Sequence, residues 1–131
     1  MYVKARWVRI TKIFSFDSAH RLEDYGGKCR HLHGHTYKLE VTVKGAMGDN
    51  GMVFDFSVLK AAVEEKVVSK LDHQYLNELF DFNPTCENIV VWIFDQISTV
   101  LIGYPCMLER VKLWETATSF AELTSDDVVE N

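Results

Sequence analysis

Seven residues, Cys29-Arg30-His31-Leu32-His33-Gly34-His35, place one thiol beside three imidazoles. His33 and His35 are two apart, so on an extended chain both rings leave the same side of the backbone. Two neutral imidazoles facing one way are half of a zinc site. A catalytic zinc takes three protein ligands and leaves its fourth position to water or substrate. His20 supplies a third imidazole from upstream, where a neighbouring strand brings it near. A trio of His31, His33 and His35 would require a tight turn, so His20 is preferred and His31 is read as a loop residue. Cys29 has three readings: a fourth ligand that closes the site, a buried apolar filler, or a thiolate base. Lys28 and Arg30 flank it, and cations favour the thiolate. The pattern points to a small metalloenzyme.

Two further groups could do chemistry. Asp72 and His73 are adjacent, so they cannot face each other within a helix. In a turn the carboxylate can orient the imidazole; alternatively the two are a surface pair ending a helix. Glu115 follows Val111 and Leu113 at a spacing of two, which places it on their apolar face. A carboxylate there is costly unless it is paired or hydrogen-bonded. Either the strand frays before Glu115, or the side chain is there to hold something.

The elements that must position these groups read as follows. Strand character runs from Val3 to Phe16, with Trp7, Val8, Ile10, Ile13 and Phe14. In the second strand Tyr37, Leu39, Val41 and Val43 alternate with Thr36, Lys38, Glu40 and Thr42, and His33 and His35 share the parity of the apolar set. A first helix starts near Asp55 or Ser57, with Phe56, Leu59, Val63, Val67 and Leu71 as its stripe. A second follows Pro84, with Thr85 as N-cap, Ile89, Ile93, Ile97 and Val100 inside, and Gly103 and Pro105 at its end. The third strand spans 107–116, with Met107, Glu109, Val111, Leu113 and Glu115 on one face. A fourth lies around 119–123. The order ββααββ implies an α+β domain over 1–131, an antiparallel sheet with two helices on one face.

Composition narrows the function classes. A formal net charge of −5 argues against a nucleic-acid backbone as the main partner. A small anionic substrate remains compatible, with Lys28, Arg30 and Arg21 as nearby cations. No run of apolar residues is long enough for a transmembrane helix. Met1-Tyr2-Val3-Lys4-Ala5-Arg6 lacks a signal-peptide core, and Cys29, Cys86 and Cys106 are odd in number, so a reducing cytoplasmic setting is expected. The segment 124–131 is acidic and offers no chemistry of its own.

Phe16-Asp17-Ser18-Ala19-His20, Cys29-x3-His33-Gly34-His35, Val53-Phe54-Asp55-Phe56, Leu71-Asp72-His73-x2-Leu76-Asn77, Pro84-Thr85-Cys86-Glu87-Asn88 and Glu115-Thr116 occur in one order. That ordered set resembles the 6-pyruvoyltetrahydropterin and 6-carboxytetrahydropterin synthase family. The resemblance implies a tunnelling fold, with a four-stranded antiparallel sheet per subunit and a homohexamer built as a dimer of trimers. It implies Zn2+ on His20, His33 and His35, Cys29 as general base, and Asp72 with His73 as a proton relay across a subunit boundary. Glu115 becomes the pterin anchor, with Thr85 and Glu87 lining that end of the pocket. Three residues between the cysteine and the HGH tripeptide resemble the 6-carboxytetrahydropterin branch. That implies conversion of 7,8-dihydroneopterin triphosphate to 6-carboxy-5,6,7,8-tetrahydropterin, with acetaldehyde and triphosphate released, on the route to queuosine. The alternatives are the pyruvoyl-forming branch, or a non-catalytic pterin-binding protein with structural zinc. Cys86 departs from the small or hydroxylated residue usual at its position.

Overall fold

The computed structural model describes residues 3–23 and 26–129, and for Lys28 and Cys29 the backbone alone. Strand β1 (Val8–His20) pairs antiparallel with β2 (His33–Gly45), in a register that sets His20 opposite His33. β2 pairs with β4 (Met107–Thr116), and β4 with β5 (Ser119–Thr124). These four long strands are the predicted antiparallel sheet. A fifth, β3 (Gln74–Tyr75), is only two residues long and lies parallel to Ser18–Ala19, giving the order β3-β1-β2-β4-β5. No periodicity can announce a two-residue strand.

The first strand begins and ends later than 3–16. Its buried members are Phe14, Phe16, Ser18 and His20, while Trp7 and Ile13 are exposed. Ile13 therefore supplies β-propensity without supplying core. In β2, Tyr37, Leu39, Val41 and Val43 are fully buried, and His33 and His35 extend that face as expected. In β4 the parity expectation fails at one end. Thr42 pairs with Arg110 but Val43 pairs with Leu108, so Glu109 is an extra residue in a β-bulge. The bulge turns Leu108 inward and Met107 outward, and Glu109 instead meets Arg9 at 3.0 Å and Lys44 at 4.0 Å.

Helix α1 (Phe56–Val63) opens on Asp55, whose carboxylate accepts from the Ser57 N–H at 2.7 Å. The helix then widens into a π-helical segment, Glu64–Val68, and closes with the turn α2 (Ser69–Leu71). Its stripe explains the widening. Leu59, Val63, Val67 and Leu71 recur every four residues, and each step overshoots a 3.6-residue turn by roughly 40°. A π turn takes up that drift, and all four side chains are fully buried. Each contributes about 1.5–3 kcal/mol of apolar burial. Phe56, the predicted first member, is exposed instead, at the first helical position next to the Asp55 cap.

A single turn, α3 (Leu76–Leu79), precedes the long helix α4 (Cys86–Val100). Thr85 caps α4 by accepting from the Asn88 N–H at 3.1 Å, and Ile89, Ile93 and Ile97 are buried. Val100, at the frayed end, is half-buried. Both long helices pack on one face of the sheet. Among the described residues no helix is long and apolar enough to cross a membrane. In the acidic C-terminal segment Ser125–Asp127 forms a 3-10 turn closed by a Thr124–Asp127 capping box.

Two asparagines complete the frame. Past His20 the chain leaves the sheet, yet the Asn77 amide accepts from Arg21 N–H (2.8 Å) and donates to Arg21 C=O (2.9 Å). The Asn83 amide does the same for Glu23, at 2.9 and 3.2 Å. Each side chain replaces one β-bridge. Asn83→Ala is expected to lower unfolding stability by about 1–2 kcal/mol, two modest net hydrogen bonds. Denaturant titration at fixed protein concentration measures this, and an unchanged midpoint would show that these bonds are worth no more than those to water.

Candidate active site

His20, at the end of β1, and His33 and His35, at the start of β2, converge on the helix-covered face. One ring nitrogen from each lies within 4.8 Å of the other two. The ring centroids stand 4.5 Å (His20–His33), 5.1 Å (His20–His35) and 4.9 Å (His33–His35) apart, all in edge-to-face contact. Three mutually edged imidazoles thus bring one nitrogen each toward a common point.

The outer hydrogen bonds fix which nitrogen faces inward. His20 Nδ1 meets the Pro84 carbonyl at 2.8 Å, and His33 Nδ1 meets the His31 carbonyl at 2.7 Å. A carbonyl only accepts, so each Nδ1 carries the proton and each Nε2 presents its lone pair. His20 Nε2 and His35 Nε2 are buried with no hydrogen-bond partner among the described residues. Burial lowers the pKa of both rings, with Glu115 opposing the shift in part, so they stay neutral where free histidine begins to protonate. Neutral nitrogens, outer partners that lock the tautomer and unpaired inward lone pairs fit a divalent metal with a position left open. His31, exposed, contributes its carbonyl and not its ring.

Glu115 is on the same face, as parity requires. Between Trp114 and Thr116 the β4–β5 register slips by one residue, which makes Glu115 a second bulge. Its Oε1 comes within 3.7 Å of His35 Nε2, and its side chain is 26% exposed. The carboxylate borders a cavity of about 670 Å³ shared with Thr85, Cys86 and Glu87 at the N-terminus of α4. Cys86 is buried, and its thiol donates to the Leu113 carbonyl at 3.3 Å. Burial, reinforced by Glu115, pushes that thiol up to about 11, so it lines the cavity as an inert neutral group.

Asp72 and His73 form a second constellation where α2 returns to the sheet. His73 has φ +57°, the left-handed region that side chains seldom adopt. Its N–H donates to Asp17 C=O at 2.6 Å, while Asp17 N–H donates to the Asp72 carboxylate at 2.9 Å. In that turn Asp72 Oδ2 lies 3.0 Å from His73 Nδ1, which is the pairing helical geometry would forbid. The Asp17 carboxylate completes the group and accepts from the Thr36 hydroxyl at 2.5 Å. His73 and His35 border one open cavity of about 540 Å³. The sequence carried Asp17 only inside the Phe16–His20 motif and assigned it no role of its own. The Cys29 side chain lies outside the described residues; its backbone forms the 3-10 turn Gly27–Arg30 that leads into β2. Arg21 is partnered, by the Tyr75 hydroxyl at 3.0 Å and Glu23 at 3.7 Å.

The Asp17 N–H, followed by His73, holds the Asp72 carboxyl below the usual carboxylate range. A depressed folded pKa means stabilisation present above the unfolded value of about 3.9 and lost as pH falls through the folded value. Carboxyl-carbon NMR is expected to show Asp72 titrating below that value, and Asp72→Asn to shift the acid-unfolding midpoint upward in pH. A titration at or above the ordinary value would mean that the Asp17 contact is absent in solution.

Residues 9–126 match the family model described as 6-pyruvoyl tetrahydropterin synthase. The chain is 43% identical over 125 residues to the 6-carboxy-5,6,7,8-tetrahydropterin synthase of Synechocystis sp., covering 91% of this chain and 94% of that protein. It is 45% identical over 109 residues to the dihydroneopterin monophosphate aldolase of Pyrococcus furiosus, covering 82% and 89%. The 6-pyruvoyl tetrahydropterin synthase structure from Caenorhabditis elegans superimposes with a TM-score of 0.82 at 27% identity, over 94% of this chain and 99% of that one.

Proposed function

The chain belongs to the 6-pyruvoyl tetrahydropterin synthase family, and from that premise we propose that it is a zinc-dependent 6-carboxy-5,6,7,8-tetrahydropterin synthase. The substrate in this reading is 7,8-dihydroneopterin triphosphate, and the products are 6-carboxytetrahydropterin, acetaldehyde and triphosphate, on the route to queuosine. The observation that carries it is the pair of inward, unpartnered imidazole nitrogens, linked through Glu115 to a cavity of about 670 Å³ that this carboxylate borders. The three-residue spacing between Cys29 and His33 favours the carboxy branch over the pyruvoyl-forming one.

Each residue has a defined task. His20, His33 and His35 hold the ion, which when bound supplies Lewis-acid polarisation of the substrate side-chain oxygens. Glu115 accepts from the ring N–H and amino group of the pterin, and Thr85 and Glu87 border that end. Cys29, as thiolate, removes a proton from the side chain. His73, steered by Asp72 through Nδ1, returns one from its other nitrogen during the internal redox shift. The His73 ring is 78% exposed in the single chain, which suits service to a site shared with a neighbouring subunit. Among the described residues the outer edge of β5 and most of the outer edge of β1 have no strand partner, as a ring of sheets in a hexamer requires. A cytoplasmic location accords with the free thiols Cys86 and Cys106.

Incubation of the zinc-loaded protein with 7,8-dihydroneopterin triphosphate tests the reading, with acetaldehyde and 6-carboxytetrahydropterin expected. Pyruvoyltetrahydropterin as sole product would place the chain in the other branch, and glycolaldehyde phosphate from dihydroneopterin monophosphate would favour aldolase chemistry. Cys29→Ala is expected to keep its zinc and lose turnover. Loss of the metal instead would make Cys29 a fourth ligand and the site structural.

A further inference from the structure

Pro84 and Asn88 flank Thr85 and Glu87 in sequence, yet they border neither the Glu115 cavity nor the one between His35 and His73. Their hydrogen bonds lead instead to a metal-site imidazole. His20 is fully buried, and its Nδ1 lies 2.8 Å from the Pro84 carbonyl. The Tyr37 hydroxyl, at 3.5 Å, is the more distant neighbour of that nitrogen. What aims the Pro84 carbonyl therefore decides which His20 nitrogen keeps its proton and which faces the other two rings.

Pro84 C=O and Thr85 N–H belong to one planar trans peptide, so they point in opposite directions. Thr85 N–H donates to Asn83 C=O at 2.8 Å and closes a three-residue turn, which sends the Pro84 carbonyl outward to His20. The proline ring fixes the other rotation within that turn. The Asn83 carbonyl thus sets the aim, and the Asn88 carboxamide donates to it at 2.9 Å. With two donors, both lone pairs of that carbonyl are used. Asn88 is itself placed by α4, since its N–H donates to Thr85 Oγ1 at 3.1 Å. At the other end the Asn83 amide grips the Glu23 backbone, three residues past His20.

We infer that Asn88 is a positioning residue for the metal site: by holding the Asn83 carbonyl it aims Pro84 C=O at His20 Nδ1 and keeps His20 Nε2 free to bind. The inference rests on the reading of His20 as a zinc ligand and adds what orients it. Asn88 is exposed, but the groups at the far end of its chain of contacts, Pro84 and His20, are buried, where no water replaces a carbonyl that has turned away.

The test compares the wild-type full chain with Asn88→Ala, using zinc in competition with a chromophoric chelator. Loss of the carboxamide is expected to raise the zinc dissociation constant by about tenfold, the lower end of what outer partners of a metal ligand contribute. In the metal-free chain, ring-nitrogen NMR shifts are expected to show His20 protonated on Nδ1 in the wild type and divided between Nδ1 and Nε2 in the variant. Asp55→Ala is the control, since it removes the cap of α1, whose hydrogen bonds go to Ser57. An equal loss of zinc affinity in that control overturns the inference, because lowered stability alone would account for it. So does an unaltered zinc affinity, or an unaltered tautomer, in Asn88→Ala. Should Asn88→Ala not fold, the native sequence decides by reciprocity: zinc must slow exchange of the Asn88 carboxamide protons, and an unchanged rate overturns the coupling. Wild-type protein that takes up no zinc overturns the reading of His20 as a ligand, and the tautomer measurement then still tests the turn alone.

Discussion

His35→Ala is expected to release the metal and lower turnover by roughly 10³-fold or more, with the fold retained. The size follows from the chemistry removed: Lewis-acid polarisation supplies several kcal/mol, and about 4 kcal/mol corresponds to three decades. His35 is the informative ligand to change because its Nε2 is buried and unpaired, so alanine removes a cost to the empty protein along with a ligand. Metal analysis, circular dichroism and turnover on one sample separate the outcomes. Metal lost with structure intact is the signature of an open catalytic site. Collapse of the fold would support the alternative of a non-catalytic pterin-binding protein with structural zinc, in which metal binding is folding energy. Full occupancy with normal turnover would remove the triad from the mechanism. Acid adds a second handle. Burial lowers the pKa of His20 and His35, so below about 6.5 the unfolded chain takes up protons that the folded site refuses. Metal-free protein should therefore lose stability as pH drops through that region, and His20→Ala should blunt the loss.

What the sequence made legible, and what it hid, divides along the range of the interactions. The position of His33 and His35 relative to Tyr37 and Leu39 is a matter of parity along one strand, and parity is local. Placement of Glu115 on the apolar face follows from the same rule. It fails for Met107 because the Glu109 bulge is set by pairing with β2 and by Arg9 and Lys44, distant partners that no window around residue 109 contains. The π-helical segment was visible only as a spacing of four, which reads equally as an ordinary stripe until the sheet demands that Leu59 through Leu71 all face it. The roles of Asp17 and of the asparagine clamps were illegible for a different reason. They act through backbone groups or through side chains that imitate backbone, so their residue types carry little signal. The His73 turn belongs to both kinds. Adjacency ruled out a helical pairing with Asp72, but the left-handed backbone that permits one needs Asp17 from another strand.

Glu115→Gln is expected to cut kcat/KM by about 10²- to 10³-fold while leaving the metal in place. A pterin edge presents a ring N–H and an amino group side by side, both donors. A carboxylate meets both with acceptors and adds charge to each bond, whereas an amide must turn one of its own donors toward a donor. The loss is therefore one charge-assisted hydrogen bond plus one buried opposition, about 3–4 kcal/mol together. Discrimination of this kind is strong because the mismatched polar group has no water to fall back on. Glu115→Asp keeps the charge but draws it back by one methylene, away from the cavity it shares with Thr85 and Glu87, and should recover part of the loss. The 3.7 Å approach of Glu115 to His35 Nε2 offers a rival account, in which the carboxylate serves the metal and not the pterin. The two accounts differ in one measurable respect. An anchor changes affinity for neopterin, a pterin without the triphosphate, and spares the zinc content; a metal-side carboxylate does the reverse. Normal neopterin affinity in Glu115→Gln, with depleted zinc, would transfer this residue from the substrate to the ion.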